Sequence, residues 1–179
     1  MKYIYHIIPN PFVGTKLIPL NEMDKESELY KGHARKYLGR ESLTKQQIPI
    51  LNCLWNDVVQ FSAINPQLIV DELKNLNPNF QLKRLEYFKI SLDEISSYDG
   101  VIFDRKSKKK GSFEISEDEV KLLNKENYAE LFEVPLLTKE YWKNAIEKNQ
   151  KVLWFPHITH IFLRGQVETK NFEICQIKL

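Results

Sequence analysis

The sequence predicts an α+β fold in which a mixed or antiparallel central sheet is combined with several short helices. Runs of β-branched and aromatic residues, such as residues 3–8, alternate in no fixed order with segments of helical periodicity. This order differs from the regular βαβ repeat of a parallel sheet. The chain has 179 residues, of which 42% are hydrophobic and 28% are charged. This size and composition predict a single domain over residues 1–179.

The N-terminal part begins with a predicted strand over residues 3–8. Pro9 and Pro11 end this strand, because proline has no N–H to donate to a hydrogen-bond ladder. Residues 21–40 are polar and charged, and they predict an irregular segment with helical turns. Residues 50–61 fit helical spacing and strand propensity equally well, so periodicity leaves both structures open.

The middle of the chain contains the most clearly marked helix. Asn65 before Pro66 predicts a capped start, and the apolar stripe that follows ends near Asn77. Alternating residues then predict a strand over residues 85–90, and a short apolar run predicts another over residues 101–103.

The C-terminal third is predicted to hold short helices followed by two strands. Ser116 and Glu119 match a capping box, which predicts a short helix through Leu123. The other predicted elements are a helix capped by Thr138 that extends to Lys148, a strand over residues 152–162 that is broken at Pro156, and a strand over residues 172–177.

Composition and charge exclude several classes of protein. The net charge of +2, from 26 basic and 24 acidic residues, is too small to predict an extended phosphate-binding surface. Cys53 and Cys175 are far apart, which favours reduced thiols and no metal site. The apolar N-terminal stretch is too short for a secretory signal, and no run approaches the length of a membrane span. We therefore expect a cytoplasmic protein without a membrane partner.

One run of basic residues stands out between two strand-like segments and predicts a hairpin tip. Such a run is either a solvated loop or a contact to nucleic-acid phosphates. Its members are Arg105, Lys106, Lys108, Lys109 and Lys110.

Histidines occur in two strand-like segments, where a purely structural strand has no need of an imidazole. His6 lies in the first predicted strand and His157 in the last third of the chain. We expect these two segments to lie side by side, so that both rings open onto one cleft. For His6, a hydrogen-bonded core histidine is the alternative.

The order of these features resembles that of the NAD-dependent ADP-ribosyltransferases, in particular the toxins that modify DNA. The resemblance depends on Tyr5-His6-Ile7, on the basic segment of residues 35–40, on residues 56–61 before Asn65-Pro66, and on residues 101–105. It implies an ADP-ribosyltransferase-like protein that binds NAD in a cleft and acts on a nucleic acid or protein acceptor.

The resemblance also implies roles for individual residues. His6 would orient the nicotinamide ribose, and Arg35 or Arg40 would bind the phosphates of NAD, for which a bidentate guanidinium is well suited. A glutamate of the C-terminal half would support the transfer by stabilising a developing oxocarbenium ion. Glu168 and Glu173 border the last predicted strand and are the candidates.

Asp57 has two interpretations. It follows Trp55 and Asn56 in an otherwise apolar block, where a carboxylate is costly unless it is hydrogen-bonded or paired. Asp57 is therefore either a further contact to the nucleotide or a structural cap or ion-pair partner of Arg35 or Arg40.

Two other functions remain open from the sequence. His157 and Thr159 are spaced as in the H-x-T strand of the two-histidine phosphoesterases, and residues 157–167 resemble that motif. This resemblance implies a phosphodiesterase that acts on RNA or a cyclic nucleotide, with His157 as a catalytic acid or base. The third interpretation is a non-enzymatic interaction module.

Overall fold

The computed structural model of the chain describes residues 1–83, 85–105 and 114–178. The strands are β1 (Tyr3–Ile7), β2 (Lys16–Leu17), β3 (Gln47–Ile48), β4 (Cys53–Leu54), β5 (Val58–Ser62), β6 (Glu86–Ser91), β7 (Gly100–Phe103), β8 (Val120–Leu122), β9 (His160–Arg164), β10 (Val167–Glu168) and β11 (Glu173–Gln176). The α-helices are α1 (Glu28–Ala34), α2 (Glu41–Thr44), α3 (Pro66–Leu76) and α4 (Leu136–Glu147), and short 3₁₀ turns cover Leu20–Glu22, Arg35–Tyr37, Trp55–Asp57 and Glu117–Glu119. None of the helices in these described residues is long and apolar enough to cross a membrane.

The central element is a sheet with the strand order β11-β6-β1-β5-β9-β7-β8, and all of its neighbouring strands are antiparallel. Two small ribbons, β2 with β10 and β3 with β4, lie beside it. The predicted α+β class is confirmed, and the sheet is antiparallel. Strands that are far apart in sequence pair with one another, as β1 does with β6 and β5 does with β9.

Helix α3 starts where the sequence predicted. The Asn65 side chain accepts a hydrogen bond of 2.9 Å from the backbone N–H of Gln67, and Pro66 occupies the first turn, where no intrahelical N–H is needed. The apolar stripe of α3 is buried at Ile69 and Leu73. It packs in a hydrophobic cluster with Trp142 of α4, so the two longest of the described helices pack against each other.

The undecided residues 50–61 form both kinds of structure. They contain β4, a 3₁₀ turn at Trp55–Asp57, and β5, which is buried between β1 and β9. Burial on both sides explains the continuous apolar run that imitates helical spacing.

The predicted helix through Leu123 is wrong beyond its first turn. The capping box forms as predicted, with the Glu119 carboxylate accepting from the backbone N–H of Ser116 at 3.2 Å. Only a 3₁₀ turn follows, because Val120 pairs with Phe103 and begins β8. Sheet pairing therefore overrides the local helix signal.

The segment before β9 is not the predicted strand. Its carbonyls bind side chains of α4: the Trp142 indole N–H donates to Leu153 at 2.8 Å, and the Thr138 hydroxyl donates to Pro156 at 2.8 Å. Thr138 thus lies inside α4 instead of capping it. Because these carbonyls are engaged with the helix, regular pairing begins only at His160.

Candidate functional site

The sheet is weakly closed between β1 and β5. In the described residues these two strands share one paired position, Tyr5 with Ser62, whereas β5 and β9 pair over the whole length of β5. The strands therefore separate on one side of that position. A cleft opens there, and consecutive residues of both strands border it.

The cleft has a volume of about 490 Å³, which is typical of a small-molecule site. Most of its wall is aliphatic or aromatic, and none of the described residues that line it is an aspartate or glutamate. The charged or titratable side chains that line it are Tyr5, His6, Lys16, His33, Lys36, Tyr37 and His160. The cleft therefore suits a ligand with an apolar or aromatic body and an anionic group.

His6 is held in one tautomer at the cleft. Its Nδ1 lies 2.8 Å from the carbonyl oxygen of Gln60, and because a carbonyl only accepts, Nδ1 carries the proton. Burial lowers the pKa of His6 to about 4, a hydrogen bond to Gln60 opposes this shift, and the nearby His33 and Lys36 add to it. The ring is therefore neutral at pH 7, and its Nε2 is left to accept a hydrogen bond.

His160 is the second imidazole of the cleft. Its position near β1 follows from the strand pairing, because Ser62 of β5 pairs with His160 on one side and with Tyr5 on the other. Burial lowers the pKa of His160, and the hydrogen bond to the backbone of Ile158 opposes this shift. His160 therefore also contributes a neutral ring.

A group of basic side chains lies at one end of the cleft. His33 and Lys36 both line it, one turn apart at the end of α1 and in the 3₁₀ turn that follows. Burial lowers the pKa of each, and repulsion adds to the effect, from Lys36 on His33 and from Lys151 on Lys36. Lys36 is exposed as a residue although it lines the cleft.

An aromatic pair also lines the cleft. The indole N–H of Trp55 donates to the Tyr37 hydroxyl at 3.2 Å, and both residues line the cleft. The Trp55 ring meets Phe103 and Phe162 edge-on at centroid distances of 5.8 and 5.0 Å. The ring is thus fixed by packing beneath the cleft.

Glu168 lies beside the cleft and not in its wall. It pairs with Lys16 across β10 and β2, and its carboxylate lies 3.1 Å from the Lys16 ammonium group. Its backbone N–H donates to the Tyr98 hydroxyl at 3.0 Å. Glu168 is therefore connected to the cleft through Lys16, which lines it. Glu173 lies on the edge strand β11, where its carboxylate is 3.1 Å from the Lys89 ammonium group.

Asp57 occupies a structural position. Its carboxylate accepts from the backbone N–H of Leu54 at 2.7 Å and from the side chain of Asn21 at 2.6 Å. The first bond caps the 3₁₀ turn, which is one of the two interpretations from the sequence. Neither Arg35 nor Arg40 takes part in these bonds.

The two arginines predicted to bind phosphate lie near the basic end of the cleft and not among the described residues that line it. Arg35 is exposed at the start of its 3₁₀ turn. Arg40 donates to the backbone carbonyl of Lys36. Lys36, which lies between them in the sequence, lines the cleft instead.

His157 and Thr159 lie before β9 and also outside the lining of the cleft, as far as the described residues show it. His157 has a backbone φ of 58°, in the left-handed region. The Thr159 hydroxyl lies 3.5 Å from the Asp104 carboxylate. The two histidines expected to share the cleft, His6 and His157, are thus not brought together, and His160 takes the second place.

Of the basic run, only Arg105 can be located. Its guanidinium donates to the Glu114 carbonyl at 3.0 Å and lies 3.6 Å from the Glu119 carboxylate. The strands that flank the run, β7 and β8, pair with each other as a hairpin requires. Lys106, Lys108, Lys109 and Lys110 lie outside the described residues.

The polar residues of the cleft that were not proposed for the site from the sequence include His33, Lys36, Asn56 and His160. His33 and Lys36 are three residues apart in a helical segment, and this spacing is the signal that could have found them. No group of three or more metal-ligating side chains occurs in the part of the chain that the structure describes.

The chain was compared with protein-family models, with curated proteins and with solved structures, and none of them matches it.

Proposed function

We propose that the chain is an ADP-ribosyltransferase-like protein that binds NAD in the cleft between β1 and β5 and transfers ADP-ribose to a nucleic acid or protein. The observation that supports this most directly is that His6, His33 and Lys36 line one cleft whose remaining wall is largely apolar and aromatic. An NAD molecule combines aromatic rings with a doubly charged pyrophosphate. The cleft offers a matching surface to each part.

The basic end of the cleft would bind the pyrophosphate. The charge of Lys36 helps to lower the pKa of His33, and an anion bound there would offset this effect. The acceptor Nε2 of His6 would bind a ribose hydroxyl, because a hydroxyl can donate to a neutral imidazole. This agrees with the role that the resemblance assigns to His6.

Glu168 is the carboxylate that we propose for the transfer. An ion pair with Lys16 keeps it beside the cleft, and a carboxylate near the nicotinamide ribose would stabilise the positive charge that develops as the glycosidic bond breaks. The basic run that starts at Arg105 would hold a nucleic acid acceptor through its phosphates.

Binding is tested by a thermal-shift titration with NAD. At a concentration of a hundred times Kd, NAD should stabilise the protein by about 2.7 kcal/mol. His6→Ala should remove this stabilisation, and Asn144→Ala on the exposed face of α4 should retain it. No stabilisation of the wild-type protein at millimolar NAD would contradict the proposal.

Transfer is tested separately with Glu168→Gln. This variant should still bind NAD but should lose most of its release of nicotinamide, because a neutral amide stabilises an oxocarbenium ion poorly. Glu147→Gln, on the exposed surface of α4, is the matched control. Equal nicotinamide release by the wild type and Glu168→Gln would exclude Glu168 as the transfer carboxylate.

A phosphodiesterase is the second candidate, because His6 and His160 are two of the three histidines among the described residues that line the cleft. Acid and base catalysis by such a pair needs one protonated ring. Since burial lowers the pKa of both, hydrolysis of a 2′,3′-cyclic nucleotide should increase as the pH falls below 6.5. His160→Ala should abolish it, and His157→Ala tests the H-x-T alternative. An interaction module is left if neither ligand class binds.

A further inference from the structure

Asn56 is a nearly buried polar side chain in the wall of the cleft, and one of its polar atoms is not satisfied by the protein. The residue is 6% exposed and lines the cleft. Its Oδ1 has no hydrogen-bond partner among the residues that the structure describes. We infer that Asn56 recognises the ligand by pairing with an edge that carries an N–H donor beside an acceptor, such as a carboxamide or the amino edge of a purine.

The hydrogen bonds that hold the local turn do not involve the Oδ1 of Asn56. The 3₁₀ turn at Trp55–Asp57 is held by the flanking residues, since the Trp55 indole donates to Tyr37 and the Asp57 carboxylate accepts from the backbone of Leu54. A buried acceptor without a partner costs free energy, because its lost hydration is not replaced. Buried polar atoms in this state are uncommon in folded proteins, and a bound ligand is the natural source of the missing bond.

The chemistry of the carboxamide defines the complementary ligand. One carboxamide offers two N–H donors and one carbonyl acceptor. The broad terminal torsion of asparagine lets either the oxygen or the nitrogen face the cleft. The matching edge has one donor beside one acceptor, as in the carboxamide of nicotinamide and the 6-amino edge of adenine. The position next to Trp55 places this recognition at the aromatic part of the cleft wall.

This inference builds on the proposed nucleotide binding, but the two fail under different results. Calorimetric titrations would use two pairs of probes: nicotinamide mononucleotide against nicotinic acid mononucleotide, and adenosine monophosphate against purine riboside monophosphate, which lacks the 6-amino group. In one pair the wild-type protein should bind the probe that carries the N–H at least tenfold more tightly. The pair that shows this preference identifies the ring beside Asn56.

Asn56→Leu should bind both members of that pair with equal affinity, whereas Asn144→Leu should keep the preference. Equal binding within both pairs by the wild type, or a preference that persists in Asn56→Leu, would overturn the inference and leave nucleotide binding intact. If none of the four probes binds, both the inference and the proposed function are overturned. A preference without any release of nicotinamide from NAD supports the inference and contradicts the transferase.

Thermal stability without ligand separates recognition from a structural role. Because the Oδ1 of Asn56 has no partner among the described residues, Asn56→Leu, which has the same number of side-chain heavy atoms, should not lower the unfolding midpoint. A fall of more than about 5 °C would show that Asn56 supports the fold and would overturn the inference. Asn56→Ser, a smaller change, provides the same titrations if the leucine variant does not fold.

Discussion

His6 and Gln60 are joined across the opening between β1 and β5, where the Nδ1 of the imidazole lies 2.8 Å from the Gln60 carbonyl oxygen. This bond takes the place of a ladder hydrogen bond at the point where the strands separate. It fixes the proton on Nδ1 and therefore presents Nε2 as an acceptor. The bond also holds the imidazole in a buried position, where protonation is unfavourable. The stability of the protein should therefore depend on pH.

Replacing His6 should reduce the loss of stability on acidification. The folded-state pKa of His6 is lowered from 6.5 to about 4, so between these values the unfolded chain binds a proton that the folded protein does not. The contribution of the neutral His6 ring to the free energy of unfolding is therefore fully present above pH 6.5, and it is lost as the pH decreases towards 4. Between pH 7 and pH 5 the wild type should lose about 1–2 kcal/mol more than His6→Gln.

Urea denaturation at the two pH values measures this difference. Lys36 and His33 both contribute to the lowered pKa of His6, so Lys36→Met should weaken the acid effect without removing it. Parallel losses in the wild type and in His6→Gln would show that the ring is not held neutral.

Removal of the Lys36 charge should weaken anion binding. Lys36→Met should lower the affinity for inorganic pyrophosphate about tenfold or more, since a hydrogen bond to a charged group contributes about 1.5–3 kcal/mol. Lys31→Met removes the same charge from α1, where Lys31 is paired with Glu28 at 3.2 Å, and should leave the affinity unchanged. Isothermal titration at low salt provides the measurement.

The sequence assigned this binding to two arginines, and they give a further comparison. Arg35→Met and Arg40→Met should reduce pyrophosphate affinity less than Lys36→Met, because neither guanidinium lines the cleft. A larger loss in either arginine variant would move the anion site away from Lys36.

Glu130 should be important for stability and not for binding. Its carboxylate accepts from the Tyr5 hydroxyl at 2.5 Å and from the backbone N–H of Tyr3 at 2.9 Å. Glu130→Ala leaves the hydroxyl of the buried Tyr5 without its acceptor and should cost about 2 kcal/mol of unfolding free energy. Glu133→Ala, at an exposed position nearby, should change it by less than about 0.5 kcal/mol. Urea unfolding of both variants would contradict this role if their stabilities were equal.

Two glycines should respond to alanine with opposite signs. A Cβ at Gly100 would lie 2.7 Å from a methyl carbon of Leu163 and 2.8 Å from one of Leu123, so Gly100→Ala should destabilise the protein by about 1–3 kcal/mol. A Cβ at Gly32 in α1 meets no atom of the described residues within 4 Å, and Gly32→Ala should stabilise the protein by about 0.5–1 kcal/mol. Thermal unfolding of the pair tests this, and a destabilising Gly32→Ala would contradict it.

Signals that lie within a few residues were sufficient to predict part of the fold. Asn65 and Pro66 mark the start of α3 through a hydrogen bond and a dihedral angle that both belong to the first turn. The strand that carries His6 was likewise predictable from β-branched and aromatic residues. The antiparallel order of the sheet was not, because β1 and β5 are more than fifty residues apart and only their pairing opens the cleft.

Where the local backbone departs from a regular strand, the residue that lines the cleft is a near neighbour of the residue predicted from the sequence. The sequence analysis placed His157 at the cleft, but its left-handed backbone interrupts the segment, and His160 begins the strand instead. At residues 55–57 the sequence drew attention to Asp57, whose carboxylate turns back to cap its own 3₁₀ turn. Asn56 faces the cleft in its place. Such differences of one to three residues depend on backbone dihedral angles that residue type does not determine.

The sheet consists of two groups of strands that are joined at a single paired position between β1 and β5. One group contains β11, β6 and β1, and the other contains β5, β9, β7 and β8. A ligand bound between β1 and β5 would contact both groups of strands and stabilise their association. Ligand binding should therefore slow hydrogen exchange of the backbone amides of Tyr5 and Ser62, and this exchange rate would report on the bound ligand.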